Sequence, residues 1–322
     1  MTEQLRLDPA NPAEALAPDA PAFPLGKGTG LDRHVMLDLQ RQEREIAKKY
    51  YALGQTIRWK YVVATLVGFT VWVSLFPLTM LGLVPLWAAF IVSYLIATAG
   101  YVTAHEAMHS TIGRKGTKGW FWNELTGQLS MVPLMFPFSI ARATHLQHHR
   151  FPNDPVRDPD YPDGAPNLRA ALWKAWLNRQ PGPTAQAHHI KRVMLEEVGT
   201  PEAKRALKET ALVQLAGTLF FIGMALSGYA MEIAMVWWLP RWLALIHTHV
   251  FFSWETHHPQ SGRGRYDNTR IFRSSVGSFL SMWIEFHLVH HLYPNIPMHL
   301  TKKAYFEMKP VLQARGVDCS AH

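Results

Sequence analysis

Val62–Gly82, VVATLVGFTVWVSLFPLTMLG, contains no charged side chain, and Leu83–Ala104, LVPLWAAFIVSYLIATAGYVTA, follows directly with none either. Each run is long enough to cross the roughly 30 Å hydrocarbon core of a bilayer as a helix. Lipid offers no partner for backbone N–H and C=O groups, so spanning segments of this composition must bond internally. Joined by a short uncharged turn, the two runs make a helical hairpin. A second hairpin is expected from Ala211–Met231 and Glu232–Trp254, the latter interrupted by Pro240 and Arg241. The expected fold class is an all-α integral membrane protein. It has four transmembrane helices (62–82, 83–104, 211–231, 232–254) as two hairpins under a cytoplasmic helical cap. A soluble all-α core is the competing reading, and two uncharged runs back to back argue against it.

The composition agrees with a membrane protein. Of 322 residues 48% are apolar and only 17% charged, against roughly 25% charged in soluble domains. Residues 1–30, rich in Pro, Ala, Gly and Asp, read as a flexible tail, and the opening MTEQLRLDPANPAEAL lacks the basic start and apolar core of a secretory leader. Residues 31–316 form the expected membrane domain and 317–322 a C-terminal tail. Residues 32–55 read as a charged amphipathic helix. Gly127–Ala141, broken by Pro133 and Pro137, is too interrupted to span and is expected to lie in the interface or dip partway in. Lys48, Lys49, Arg58 and Lys60 precede the first run, and Arg114, Lys115, Lys118, Arg142 and Arg150 follow the second. The positive-inside rule then puts both termini, the long polar segments and their histidines on the cytoplasmic side; if the chain is bacterial, the membrane is the plasma or inner membrane.

The net charge of +8 is compatible with an anionic lipid surface or an acidic protein partner. No Lys/Arg run with interleaved aromatics points to nucleic acid. The single cysteine, Cys319, can build neither an internal disulfide nor a thiolate-held cluster, whereas there are 17 histidines.

Eight of those histidines fall into three spaced clusters. HEAMH places His105 and His109 at i and i+4, just after the second apolar run. HLQHH supplies His145, His148 and His149, and HLVHH supplies His287, His290 and His291; each is expected to face one way on a helix. Taken alone, His105-Glu106-x-x-His109 is the helix signature of a zinc protease with Glu106 as base. One catalytic zinc needs only three protein ligands, so that reading leaves two clusters unused. Glu106–His109 and Glu255–His258 match the Glu-x-x-His spacing of soluble di-iron carboxylate bundles, with the same defect. His34, His188, His189, His299 and His322 read as ordinary surface or satisfied core residues.

HEAMH, HLQHH and HLVHH resemble, in order and spacing, the three histidine boxes of the membrane fatty acid desaturase/hydroxylase superfamily. The likeness extends over about residues 55–312. Within it, HLQHHRFPNDPVRDPD and HLVHHLYPNIP look most like the second and third boxes of β-carotene hydroxylases. The resemblance implies a non-haem di-iron centre that uses O2 on C–H bonds of a long apolar lipid. β-Ring hydroxylation of a carotenoid is the first expectation. Desaturation, hydroxylation or decarboxylation of a fatty acyl chain is the alternative. It implies His105, His109, His145, His148, His149, His287, His290 and His291 as ligands, with one more from SWETHHPQ: His257, or else His258. His247 and His249 are weaker candidates. Asp158, Asp154 and Glu106 are candidate carboxylates that would orient the ligands. Asp160 and Asp163 share the Asp-Pro turn cluster. No dinucleotide fingerprint is present, so electrons must come from an external ferredoxin or cytochrome b5-like donor with its reductase. Arg114, Lys115 and Lys118 are candidates for docking that donor. A metal-sensing or lipid-binding membrane protein is the non-enzymatic alternative.

Overall fold

The computed structural model describes residues 31–52, 56–180, 184–274, 277–278 and 281–322; the expected 1–30 tail lies outside the described residues. Among the described residues every regular element is helical. The longer ones are α1 (Arg33–Ala52), α2 (Trp59–Met80), α3 (Leu86–Met108), α4 (Gly119–Met131), α5 (Phe138–Arg150), α6 (Leu168–Leu177), α7 (Ala185–Arg192), α8 (Pro201–Met224), α9 (Leu239–Thr248), α10 (His287–Leu292) and α11 (Met298–Ala314).

Among the described residues three helical runs are long and apolar enough to cross a membrane: α2, α3 and the run Pro201–His257 that contains α8 and α9. Their apolar side chains point outward, the reverse of a soluble helix: Trp87 is 66% exposed and Leu226 84%. The Pro201–His257 run is not straight. Gly228 adopts φ +91°, a left-handed conformation that costs glycine little. Beyond it the chain doubles back, because the Phe221 and Trp237 rings meet edge-on at 5.1 Å, whereas a straight helix would separate those residues by roughly 24 Å.

The interrupted Gly127–Ala141 piece is two helices, α4 and the start of α5, joined by a break at the prolines. The break frees backbone carbonyls, and the Pro201–His257 run answers them. Trp237 donates to the Pro133 carbonyl at 2.9 Å, Arg241 to Leu134 at 2.8 Å and Gln214 to Met135 at 2.6 Å. Arg241, anomalous in an apolar run, is thereby accounted for: irregular backbone near lipid persists only where protein groups satisfy it.

α3 and α4 approach closely. A Cβ on Gly100 would sit 2.7 Å from the Ser130 carbonyl oxygen. Small side chains at Ala97, Ala104, Ala107, Ala141 and Ala244 let these helices pack around the end of α3. Beside the end of α3, α10 and α11 form a cap over α1, packed through Leu288, Val289, Leu292, Tyr305, Met308 and Leu312. A buried ion pair ties the cap: Arg315 donates to Glu43 at 2.6 Å and to the Met36 carbonyl at 2.7 Å, while Lys49 pairs with Glu307 on the surface. The last six residues, read above as a tail, pack here too. Cys319 is buried, and a His322 ring nitrogen lies 2.9 Å from the Phe272 carbonyl oxygen.

Candidate metal centre

α3 carries His105 in its last turn, and its helical path ends at His109 (φ −90°, ψ 8°). α5 carries His145, His148 and His149 in its last two turns, and three of the six residues of α10 are His287, His290 and His291. The final turn of the Pro201–His257 run delivers His257. Nine imidazoles thus converge at the meeting point of four helical ends.

They form two groups. In the first, the ligand nitrogens of His105, His109, His145, His149 and His290 all lie within 4.8 Å of one another; in the second, those of His148, His257, His287 and His291 do. The expectation that each HxxHH cluster faces one way is corrected here. Residues i+3 and i+4 are about 100° apart around a helix, so adjacent histidines aim at different targets. HLQHH gives its outer pair, His145 and His149, to the first group and His148 to the second. HLVHH does the reverse, giving His287 and His291 to the second group and His290 to the first. The groups are adjacent: the His149 and His291 rings stack at 4.2 Å.

The donor set fits metal ions. The Nε2 atoms of His109 and His145 are 2.8 Å apart, those of His149 and His290 3.0 Å, those of His148 and His257 3.1 Å, and those of His287 and His291 3.0 Å. An octahedron with metal–imidazole bonds of about 2.1 Å sets neighbouring nitrogens roughly 3.0 Å apart and opposite ones roughly 4.2 Å apart. Buried acceptor nitrogens at such spacing, with no carboxylate among them, suit divalent transition ions rather than Ca2+ or Mg2+. Burial, aided by neighbouring imidazoles, drives His145, His149, His287, His290 and His291 well below the ordinary histidine value, which keeps these rings neutral and their nitrogens free to bind.

Two rings have a visible outer partner. His148 Nδ1 donates to Asp158 at 2.9 Å, and His257 Nδ1 donates to the Asn268 carbonyl at 3.0 Å; both bonds turn Nε2 inward. Burial is the largest single influence and would lower His148, but the carboxylates of Asp158, Asp160 and Asp163 together outweigh it and lift the ring to about 9. Those carboxylates favour positive charge at this position, whether proton or metal. Asp158 is itself fixed: the Asn153 N–H donates to it at 2.7 Å and the Asp160 N–H at 2.9 Å. Asn153 adopts φ +60°, a conformation Asn tolerates better than most residues, and its side chain donates to the Gly262 and Asn268 carbonyls. One asparagine therefore braces the supports of both His148 and His257. Asn153 and Asn268 were missed in the sequence. The NDP triplet marks a turn, but nothing in it names the distant carbonyls.

Other candidates are placed elsewhere. His258 stacks on Trp254 at 4.8 Å, outside both groups. The His247 ring lies 2.7 Å from the Tyr94 hydroxyl, and His249 lies 3.2 Å from Asp163; neither joins a group. Asp154 does not reach a histidine, because Arg157 at 2.8 Å, Arg263 at 3.3 Å and the Val156 and Arg157 N–H groups take up its carboxylate. Glu106 also turns away. It accepts from the Met298 N–H at 2.6 Å and from the Thr111 hydroxyl, tying α3 to the start of α11. A cavity of about 480 Å3 reaches the second group through His148 and His257, with Asp160, Lys174, Trp254 and Arg263 among its walls.

A family model described as fatty acid desaturase matches residues 81–321, which include every one of the nine histidines. The chain belongs to the fatty acid desaturase family. It is 26% identical over 307 residues to the sn-1 oleoyl-lipid 12-desaturase of Picosynechococcus sp., covering 87% of this chain and 85% of that one. The dihydrorhizobitoxine desaturase of Bradyrhizobium elkanii is 28% identical over 62% of this chain and 61% of its own. The zeaxanthin 4-ketolase of Chlamydomonas reinhardtii is 26% identical over 65% and 42%. These relatives are oxidoreductases, which supports an enzyme. Family membership and the apolar helices together support a membrane protein that acts on lipid.

Proposed function

We propose that this desaturase-family chain is an O2-dependent membrane oxidoreductase that attacks unactivated C–H bonds of a long apolar lipid. The observation that carries it is the partition of nine buried histidines into two adjacent groups, each with the spacing of a metal shell. His105, His109, His145, His149 and His290 hold one ion, and His148, His257, His287 and His291 hold the second. Two irons bound there supply the oxidation of a C–H bond by O2 with electrons from outside. The chain's own residues hold His145, His149, His287, His290 and His291 neutral, aim His148 and His257 through Asp158 and Asn268, and bury the rings away from bulk water.

Desaturation of an acyl chain is the first outcome to test, because the relative aligned over most of both chains is an acyl-lipid desaturase. Carotenoid ring oxidation, expected first from the boxes alone, keeps support from the zeaxanthin 4-ketolase likeness. Both outcomes consume O2, two electrons and two protons. Desaturation returns two waters, and hydroxylation returns one and leaves an oxygen in the product. Expression in a host that makes both unsaturated lipids and β-carotene separates them: new acyl double bonds support the first, and polar carotenoids the second. Neither product in a host with a competent donor would overturn both.

The doubling back at Gly228 supports four crossings, with α8 and the arm containing α9 each spanning once. A ferredoxin or cytochrome b5-like protein is the electron donor in this reading. Exposed Lys115 and Lys118 support a docking role for the turn after HEAMH. Reversing both charges is expected to slow donor-dependent turnover and flatten its salt dependence.

A further inference from the structure

α6 is built inside out. Its buried residues are the small Ala171 and Ala175, while Leu168, Leu172, Trp173, Trp176 and Leu177 are exposed, Trp173 at 58%. At 100° per residue these five large side chains spread over one half of the helix, an apolar face broken only by Arg169 at its first turn. Trp173 and Trp176 stack on each other at 4.8 Å with their planes 15° apart, a fixed aromatic slab rather than two loose side chains. Scattered exposed apolar residues need no explanation, but a contiguous face of this size does.

The location of α6 says what covers that face. Trp254 donates to the Ala165 carbonyl at 2.8 Å, just before α6, and Arg179 donates to the Leu245 carbonyl at 3.1 Å, just after it. α6 therefore lies lengthwise and antiparallel along residues 245–254, the closing stretch of the third apolar run. The outward Leu239 and Leu243 of that run are exposed in the same way. The α6 face continues an apolar surface that a bilayer covers. Arg169 is exposed on the first turn, where a cationic side chain reaches polar headgroups while its neighbours sit among acyl chains. Tryptophan favours that boundary.

We propose that α6 is membrane-embedded at the interface, its Leu–Trp face in contact with lipid. Its inner flank makes this matter for the metal centre. Lys174 donates to the Pro162 carbonyl at 3.3 Å and also to the Gly164 carbonyl, holding the turn that follows Asp158 and Asp160. The helix thus couples the membrane surface to the loop that supports His148.

The test is site-directed spin labelling of the full chain in phosphatidylcholine/phosphatidylglycerol vesicles. Cys319→Ser removes the native thiol, and Trp173→Cys introduces the label site. Glu196→Cys, on the exposed turn after α7, is the aqueous control. Collisions with O2, which concentrates in lipid, are compared with those of a water-soluble nickel chelate. O2 is expected to dominate at position 173 and nickel at 196. Nickel dominating at 173 would overturn the proposal. Shielding from both reagents would also overturn it, because a protein surface would then cover the face. Should Trp173→Cys fail to fold, Leu172→Cys carries the label on the same face.

Discussion

Asp158 shows how much one side chain outside the candidate ligand set can decide. It accepts the His148 Nδ1–H and two backbone N–H groups, so it fixes both a ring and the turn that carries it. Asp158→Asn keeps the size and one acceptor but loses the charge that favours a cation at His148. Metal affinity of the second group is expected to fall about 10–100-fold, read by metal titration, with helix content unchanged. The neighbouring pair His257 and His258 gives a sharper contrast. One imidazole faces the second group and the other lies on Trp254. His257→Ala is expected to release one metal ion and abolish turnover, while His258→Ala leaves metal content at the wild-type value. Metal analysis of the two variants reads the difference, and equal losses would sink the assignment. At this scale the eight box histidines stood out because their three spaced clusters resemble the family's boxes in order, although spacing did not show how each box divides between two groups. The choice between His257 and His258 was not legible, since it depends on where the final turn of a long helical run happens to stop.

Among the elements, α3 and α4 set the position of the first box. Gly100 is where their backbones pass, and no side chain fits between it and Ser130. Gly100→Val is expected to cost about 1–3 kcal/mol through overpacking and to lower the melting temperature in detergent. An unchanged melt would mean that the contact is looser than described. The apolar runs of α2 and α3 could be read directly, because an uncharged stretch of that length has few soluble explanations. The broken Gly127–Ala141 piece could not be placed by pattern. Its prolines predict the break, but the partners of the freed carbonyls, Trp237, Arg241 and Gln214, come from a run far along the chain. Arg241 illustrates the limit well. In the sequence it weakens the case for a span, and in the fold it is what makes the break tolerable. The split of each HxxHH box between two groups was likewise hidden, since it depends on how the ends of α5 and α10 face each other.

For the molecule as a whole, the cap of α1, α10 and α11 holds the third box against the first two. A buried ion pair there joins Glu43 to Arg315, and removing one partner strands the other charge without water. Glu43→Ala is expected to destabilise the protein by about 3–5 kcal/mol, seen as a lower melting temperature with early loss of metal. The same cap explains why the C-terminal residues are packed rather than loose, which no composition rule would indicate. The central claim concerns the two groups acting as two metal sites, and metal content tests it most directly. Detergent-purified protein is expected to hold close to two irons per chain. His109→Ala should remove the one bound by the first group, and His287→Ala the one bound by the second. A single zinc, lost with His109→Ala and untouched by His287→Ala, would contradict the account and return HEAMH to the reading of a lone metalloprotease helix.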